Sequence, residues 1–503
     1  MGVFSTPGVV VNATGSIGLA FVLWLVGALV AFSGLTLYIE LGSRFPNRSG
    51  GDAVFLEQAY PYPRYFMPTV FAICSVILGS TAVSATVFAQ YTMHALDIVV
   101  TPWRQKWLAV AMLSFCLAIC AASNRVSFRI INALGFIKIA SMAFIICTGI
   151  AVLSGLTSIK DPAENLKRPF EGSNWGANAL VTGLIKIDYT FNGWSSAIVF
   201  LSEVQADATT GSLYLQSPHT DPVNLVRRAS YAALAFVTVI FLFINIAYFA
   251  AIPKETLSQS GSLVGAMFCE SVYGVDSFVA KRLFPLMVTS SCVGLLIATT
   301  LYHARIVRET SRQGVLPFPE ILSSTWPFGT PAGPILVQWV LSVLVIVLPP
   351  AKEAFEFLID SHIYPTLVFG TLSALAVWIL RARSPQAGKA GFRAWNGFVV
   401  IYLVKCVMSL IMPWIPPQDG SHHGNGGMWY AMYCVVGVVL VLFSILYYII
   451  WMILLPRLGG YEMVQETVTL AGGALTNRFR KVSKRDMDRS EGDEEDTAPL
   501  LQE

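Results

Sequence analysis

The 503-residue chain is short of charge. Asp, Glu, Lys and Arg make up 13% of it, against roughly 25% in an ordinary soluble protein. That deficit excludes a string of soluble domains, whose surfaces would need charge that is not there. Net charge is scarce too. A formal +3 is too little for a nucleic acid or other polyanion partner. Histidine is limited to six residues, and no His–acid or nucleophile constellation clusters at one depth. An embedded enzyme is therefore a weak reading, and no cofactor is expected. Residues 1–12 carry no basic residue, so no cleavable leader is expected. What fills the chain is apolar: 55% of it is hydrophobic, in long runs. The class that remains is an all-α polytopic membrane protein whose first partner is the lipid bilayer.

Cysteine adds little. Of the eight, Cys116 and Cys120 have the spacing of metal ligands on one helix face, but no His or acid lies beside them in sequence. No metal site is expected there. Cys269 is expected to face an outer loop, and the others to act as small hydrophobes.

A span needs about 20 apolar residues to cross the hydrocarbon. Full-length runs occur near 17–42, 66–92, 107–123, 131–155, 176–202, 232–252, 284–304, 333–350, 361–380, 395–415 and 428–455. Residues 1–12 form a twelfth apolar piece, half as long as a span requires. Twelve helices with an incomplete first one are expected over residues 1–456. If the segment before residue 17 lies outside, the inner loops and the tail hold 21 basic residues and the outer loops nine. Basic residues favour the cytosolic side, so the C-terminus is expected in the cytosol. Residues 457–503 turn polar and are expected to be disordered. The tail ends in an acidic dileucine pattern, Asp496 with Leu500-Leu501, a candidate handle for trafficking adaptors or a ubiquitin ligase.

Two segments look unable to stay helical. In Gly2-Val-Phe-Ser-Thr-Pro-Gly8 the proline removes a donor and the glycines weaken the turn around it. In the sixth span, Asn192 and Gly193 interrupt a strong apolar run near its centre. Interrupted segments at corresponding positions of two halves point to a transporter built on inverted repeats. N–H groups freed at such breaks receive a carboxylate, and freed carbonyls receive an amine or a cation. Those are the two ends of an amino acid. The candidate substrate residues are therefore Gly2, Val3, Phe4 and Ser5 at the first break. At the second they are Asp188, Tyr189, Thr190, Phe191, Asn192, Gly193 and Trp194. The rings of Tyr189, Phe191 and Trp194 are candidates to close over a bound side chain. Close helix packing and ordinary core contact are the competing readings for these glycines and rings.

Charges within spans need a reason. Lys138 lies about 13 Å into the fifth helix, nine residues past Arg129 at 1.5 Å each. It is either a fixed ammonium at a coupling-cation position or a lysine snorkelling to the interface. Asp188 is expected either to meet a substrate amine or a proton, or to neutralise a lysine. Lys186 is two residues away and should face elsewhere. Lys405 reads as a structural or lipid-edge residue, and Glu40 beside Arg44 as an interface anchor.

These residues resemble the amino acid–polyamine–organocation transporter superfamily, in particular its L-type amino acid transporters and the fungal methionine permease-like branch. Gly2 to Gly8 is similar to the family's first-helix pattern. Tyr38-Ile-Glu-Leu-Gly42, with Pro46 and Ser49-Gly-Gly-Asp52, resembles the end of the second helix and the loop after it. Phe191-Asn-Gly-Trp194 with Ser202-Glu203 resembles the broken sixth helix. Asn245-Ile-Ala-Tyr-Phe249 resembles the seventh, and Ala304 to Pro317 the close of the eighth. The likeness runs from residue 1 to about 455.

The resemblance implies a LeuT-like architecture, two inverted five-helix repeats with two extra C-terminal helices. It implies that backbone around Gly2 and Phe191 to Gly193 grips the amino acid, and that Tyr189 is the aromatic gate. Lys138 stands eleven residues before Gly149, as in L-type relatives, where that lysine fills the site sodium occupies in sodium-coupled cousins. Three features depart from the pattern. Met1 stands where the family has Ser or Thr, with the cytosolic half of helix one not present in this sequence. Residues 206–221 look inserted, and Asp188 replaces an apolar residue. The expected activity is transport of neutral amino acids, with methionine among them, by alternating access. It would be a proton-driven symport in the plasma membrane, with a vacuolar or endosomal membrane as the alternative location. A sensor of the same fold that binds without appreciable flux is the alternative.

Overall fold

The computed structural model describes residues 2–45, 51–99, 101–157, 159, 161–162, 164–199, 222–259, 264–326, 328–348, 353–383, 392–416, 429, 431–469 and 475–483. The chain starts with a 3-10 turn, Gly2–Phe4, and the helix α1, Thr6–Thr14. Then come α2 (Ile17–Arg44), α3 (Asp52–Ala59), α4 (Phe66–Leu78) and α5 (Ala82–Ala95). Next are α6 (Pro102–Ala122), α7 (Asn124–Leu153), α8 (Ala177–Phe191), α9 (Ser196–Val199) and α10 (Pro222–Ala251). The later long helices are α11 (Phe284–Arg312), α12 (Ala332–Val347), α13 (Glu353–Arg383), α14 (Asn396–Ile411) and α15 (Met432–Tyr448).

Among the described residues, nine helices are long and apolar enough to cross a membrane, and α12 is a shorter apolar one. With the interrupted α8–α9, they account for the eleven expected runs. The helices extend past those runs: α6 starts at Pro102 and α7 at Asn124. Their ends carry Arg104, Lys106, Arg125 and Arg129, which are helical without being apolar. Arg and Lys stems lie along apolar surface while their heads reach water.

The turn between α1 and α2 shows how local chemistry sets the ends. Gly15 takes φ +69° and its N–H bonds the Val11 carbonyl, closing α1. Ser16 then caps α2, its side chain accepting from Leu19 N at 3.3 Å. The loop that leads into α8 clasps this turn, through Asn174 N to Thr14 O at 2.8 Å and Gly18 N to Pro169 O at 2.6 Å. The α1–α2 turn and the start of α8 therefore share one end of the bundle.

At the opposite end of α2, Glu40 is buried and clamped. Arg381 donates to both its oxygens, at 2.9 and 2.5 Å, Arg44 adds a bond at 3.0 Å and the Ala394 N–H one at 2.8 Å. Sequence placed Glu40 beside Arg44; the fold makes it the joint between α2 and the end of α13.

Two expectations need correction. Cys269 is fully buried rather than loop-facing. The tail is not without order from residue 457. Tyr461–Thr469 and Leu475–Ser483 form an antiparallel hairpin, β1 and β2, with Tyr461 opposite Ser483. Its composition is polar on average, but period-2 alternation turns Tyr461 and Met463 inward, and Met463 packs with Ala72, Ile73 and Val307 of the bundle. The dileucine segment lies outside the described residues, as does the 206–221 insertion.

Candidate functional site

Both expected breaks are present and they touch. The first lies at Ser5, between the Gly2–Phe4 turn and α1. Its polar groups are partly satisfied within the segment: the Gly2 carbonyl accepts from Ser5 N at 2.9 Å, Ser5 Oγ at 3.2 Å and Thr6 Oγ1 at 2.7 Å. The N–H groups of the first turn of α1 have no helical partner by construction, and Pro7 supplies none. The second break follows Phe191. Asn192 is extended, and Gly193 takes φ +117°, a conformation that only glycine adopts without strain.

The contact between the breaks is close. Thr6 Oγ1 and Thr190 Oγ1 share a hydrogen bond of 2.8 Å. A Cβ on Gly2 would come within 2.6 Å of Thr190 Oγ1 and 3.0 Å of Thr190 Cα. Glycine at position 2 is therefore what lets the two segments meet.

The other candidates divide by helix face. Val3 and Phe4 are buried, and the Phe4 ring meets Phe284 edge-on at 6.0 Å. Phe191 turns the other way, into a core with Trp24 at 5.9 Å and Phe241 at 5.3 Å. It is a packing residue and does not stand over the first break. Trp194 also leaves that site: its ring fills the space over Gly34 between Tyr38, at 5.1 Å, and Tyr402, at 6.0 Å. The third aromatic candidate, Tyr189, lies within electrostatic reach of Cys292 on α11. Lys138, half-buried on α7, is within reach of the same Cys292. Tyr189 and Lys138 thus converge on one stretch of α11.

Asp188 has a partner that sequence did not pair with it: Lys405 Nζ of α14 lies 2.6 Å from Oδ2. The pair neutralises a lysine across the bundle.

Sequence reasoning also missed two features. Asp52 of α3 reaches Ser373 of α13, whose Oγ donates to it at 2.9 Å. The span 66–95 is itself interrupted at Gly79–Thr81. Gln338 Nε2 bonds the Gly79 carbonyl at 2.9 Å and Ser342 Oγ accepts from Thr81 N at 3.0 Å, so α12 satisfies that break. The Gly79-Ser80 pair inside an apolar run was the available signal.

Apolar helices, two of them broken against one another, define an integral membrane protein of the transporter class. The chain belongs to the amino acid permease family, whose model matches residues 1–454; its class is a permease, not an enzyme. A high-affinity methionine permease of Saccharomyces cerevisiae is 30% identical over 492 residues, 96% of this chain and 81% of its own. A low-affinity methionine permease of the same yeast is 24% identical over 484 residues, 95% of this chain and 84% of its own. Large neutral amino acids transporter small subunit 2 of Homo sapiens is 25% identical over 319 residues, 63% of this chain and 55% of its own.

Proposed function

We propose that this permease carries neutral amino acids, methionine among them, by proton-driven alternating access in the plasma membrane, with its tail in the cytosol. The single observation that carries the reading is the meeting of the two breaks at Gly2 and Thr190. The amino acid's carboxylate lies at the start of α1, where backbone N–H groups and the positive end of the helix dipole point at it. Its amine meets carbonyls at the Phe191–Gly193 break, and its side chain lies beside Tyr189. The two breaks sit in corresponding helices of two inverted repeats. Lys138 supplies a fixed positive charge where a coupling cation would otherwise bind. The names of the yeast and human relatives support the substrate class. The end of the tail is the docking point for trafficking adaptors or a ubiquitin ligase.

Purified protein in proteoliposomes tests this. Labelled methionine should accumulate inside under an inward proton gradient and be displaced by unlabelled leucine. Saturable binding with no accumulation would replace the transporter with a sensor of the same fold.

A further inference from the structure

Asp52 sits where four hydroxyl-bearing side chains from four helices converge. Ser373 of α13 donates to Oδ1 at 2.9 Å, and Tyr38 of α2 donates to the same carboxyl. Tyr302 of α11 and Tyr402 of α14 lie within electrostatic reach. Among the described residues, no Lys, Arg or His side chain pairs with it. The two arginines farther along α13 are engaged elsewhere. Arg381 holds Glu40, and Arg383 bonds the Gln58 and Ala59 carbonyls at the other end of α3. The contrast with the other acids of the bundle is plain, because Glu40, Asp188 and Glu309 each have a basic partner. Asp52 keeps some accessible surface while sitting deep among protein atoms, as a side chain lining an internal space does.

An unpaired carboxylate inside protein is costly and tends to take a proton instead. Two features resist that. The hydroxyls of Tyr38 and Ser373 stabilise the charge, and so does the position of Asp52 in the first turn of α3. Asp52 lies between two spans in sequence, and burial pushes its carboxyl up to about 6 against the pull of those two hydrogen bonds. A proton would come and go there near neutral pH.

The groups around Asp52 also touch the second break. The Tyr38 ring packs edge-on against Trp194 at 5.1 Å, and Ser195 lies against the Tyr302 hydroxyl. Trp194 and Ser195 directly follow Gly193.

We propose that Asp52 is the proton-binding carboxyl of the transport cycle, and that its charge state sets the position of the Trp194–Ser195 segment through Tyr38 and Tyr302. The step needs only water: the carboxylate takes one proton from hydronium and becomes a neutral acid. Tyr38 and Ser373 then lose a charged acceptor, and Tyr38 is released to move with Trp194. The proposal rests on the proton-coupled reading above.

Two measurements in proteoliposomes separate the claims: methionine uptake driven by an inward acid gradient, and methionine counterflow without one. The native chain should show both. If it shows counterflow but no response to the gradient, proton coupling fails and this proposal with it. If it responds, Asp52→Asn should lose gradient-driven uptake by at least about tenfold, or ~1.4 kcal/mol, while counterflow continues. A gradient response equal to that of the native chain would overturn the role of Asp52 alone. Should Asp52→Asn not fold, Ser373→Ala decides. Removing a donor to the carboxylate must move the pH midpoint of uptake upward, and an unmoved midpoint rejects the proposal.

Discussion

Asp188 and Lys405, 217 residues apart, form an ion pair of 2.6 Å inside the bundle, tying the helix just before the second break to α14. Lys405 also lies 5.7 Å from the centre of the Tyr402 ring, so the charge that holds α8 is joined to the aromatic cluster that holds Trp194. The broken helix is thereby fixed on both sides of Gly193.

Removing one member of that pair should cost more than removing both. The side chains are 5% and 29% exposed, so water screens the acid in part. Lys405→Met or Asp188→Asn alone should destabilise the protein by about 2–3 kcal/mol, at the low end for buried pairs. The double variant should recover much of the loss, since no charge is left unpaired. Thermal melting in detergent reads this directly, and additive losses would contradict it.

Gly2 should not tolerate a side chain. A Cβ there meets Thr190 at 2.6 and 3.0 Å, and the second of these atoms is backbone, which cannot turn aside. Gly2→Val should lower methionine uptake by at least about tenfold, equivalent to ~1.4 kcal/mol. Thr190→Ala, made together with it, should not restore the loss. Restored uptake would show that only the Thr190 hydroxyl mattered.

Gly34 makes the same argument at the other side of the break. Its Cβ would lie 2.7 Å from the Trp194 ring and 2.8 Å from that of Tyr402. Gly34→Leu should displace Trp194 and change its fluorescence, whereas Gly135→Ala, in open space, should do neither.

Asp52 makes stability depend on pH in a defined sense. Its folded value, about 6, is above the ordinary 3.8, so the folded chain binds the extra proton between those values. Stability therefore falls as pH rises from about 4 to about 6, by up to ~3 kcal/mol at 1.36 per unit. Asp52→Asn should melt above the native chain at pH 7.5, and the gap should close toward pH 4. An equal gap at both pH values would contradict this.

Much of the arrangement was legible because it is local. Long apolar runs gave the spans, and Asn192-Gly193 inside such a run marked the second break. The proline and glycines near the start marked the first. What the sequence did not reveal is non-local. Asp188 finds its lysine 217 residues away, and Asp52 its serine 321 residues away. Neither spacing is visible along the chain. The rings of Phe191 and Trp194 were read together because they flank one glycine. Helical rotation and the turn at Gly193 give them different neighbours in one core, Trp24 and Phe241 for Phe191, and Tyr38 and Tyr402 for Trp194. The hairpin was missed because average polarity hides an alternation two residues long.

The central claim is that the paired breaks hold both ends of a free amino acid. Competition against labelled methionine uptake, using methionine methyl ester and N-acetylmethionine, tests it most directly. Each compound keeps the side chain and loses one charged end. The account predicts that unlabelled methionine competes and that neither derivative does. Competition by either one at methionine's own concentration would contradict it.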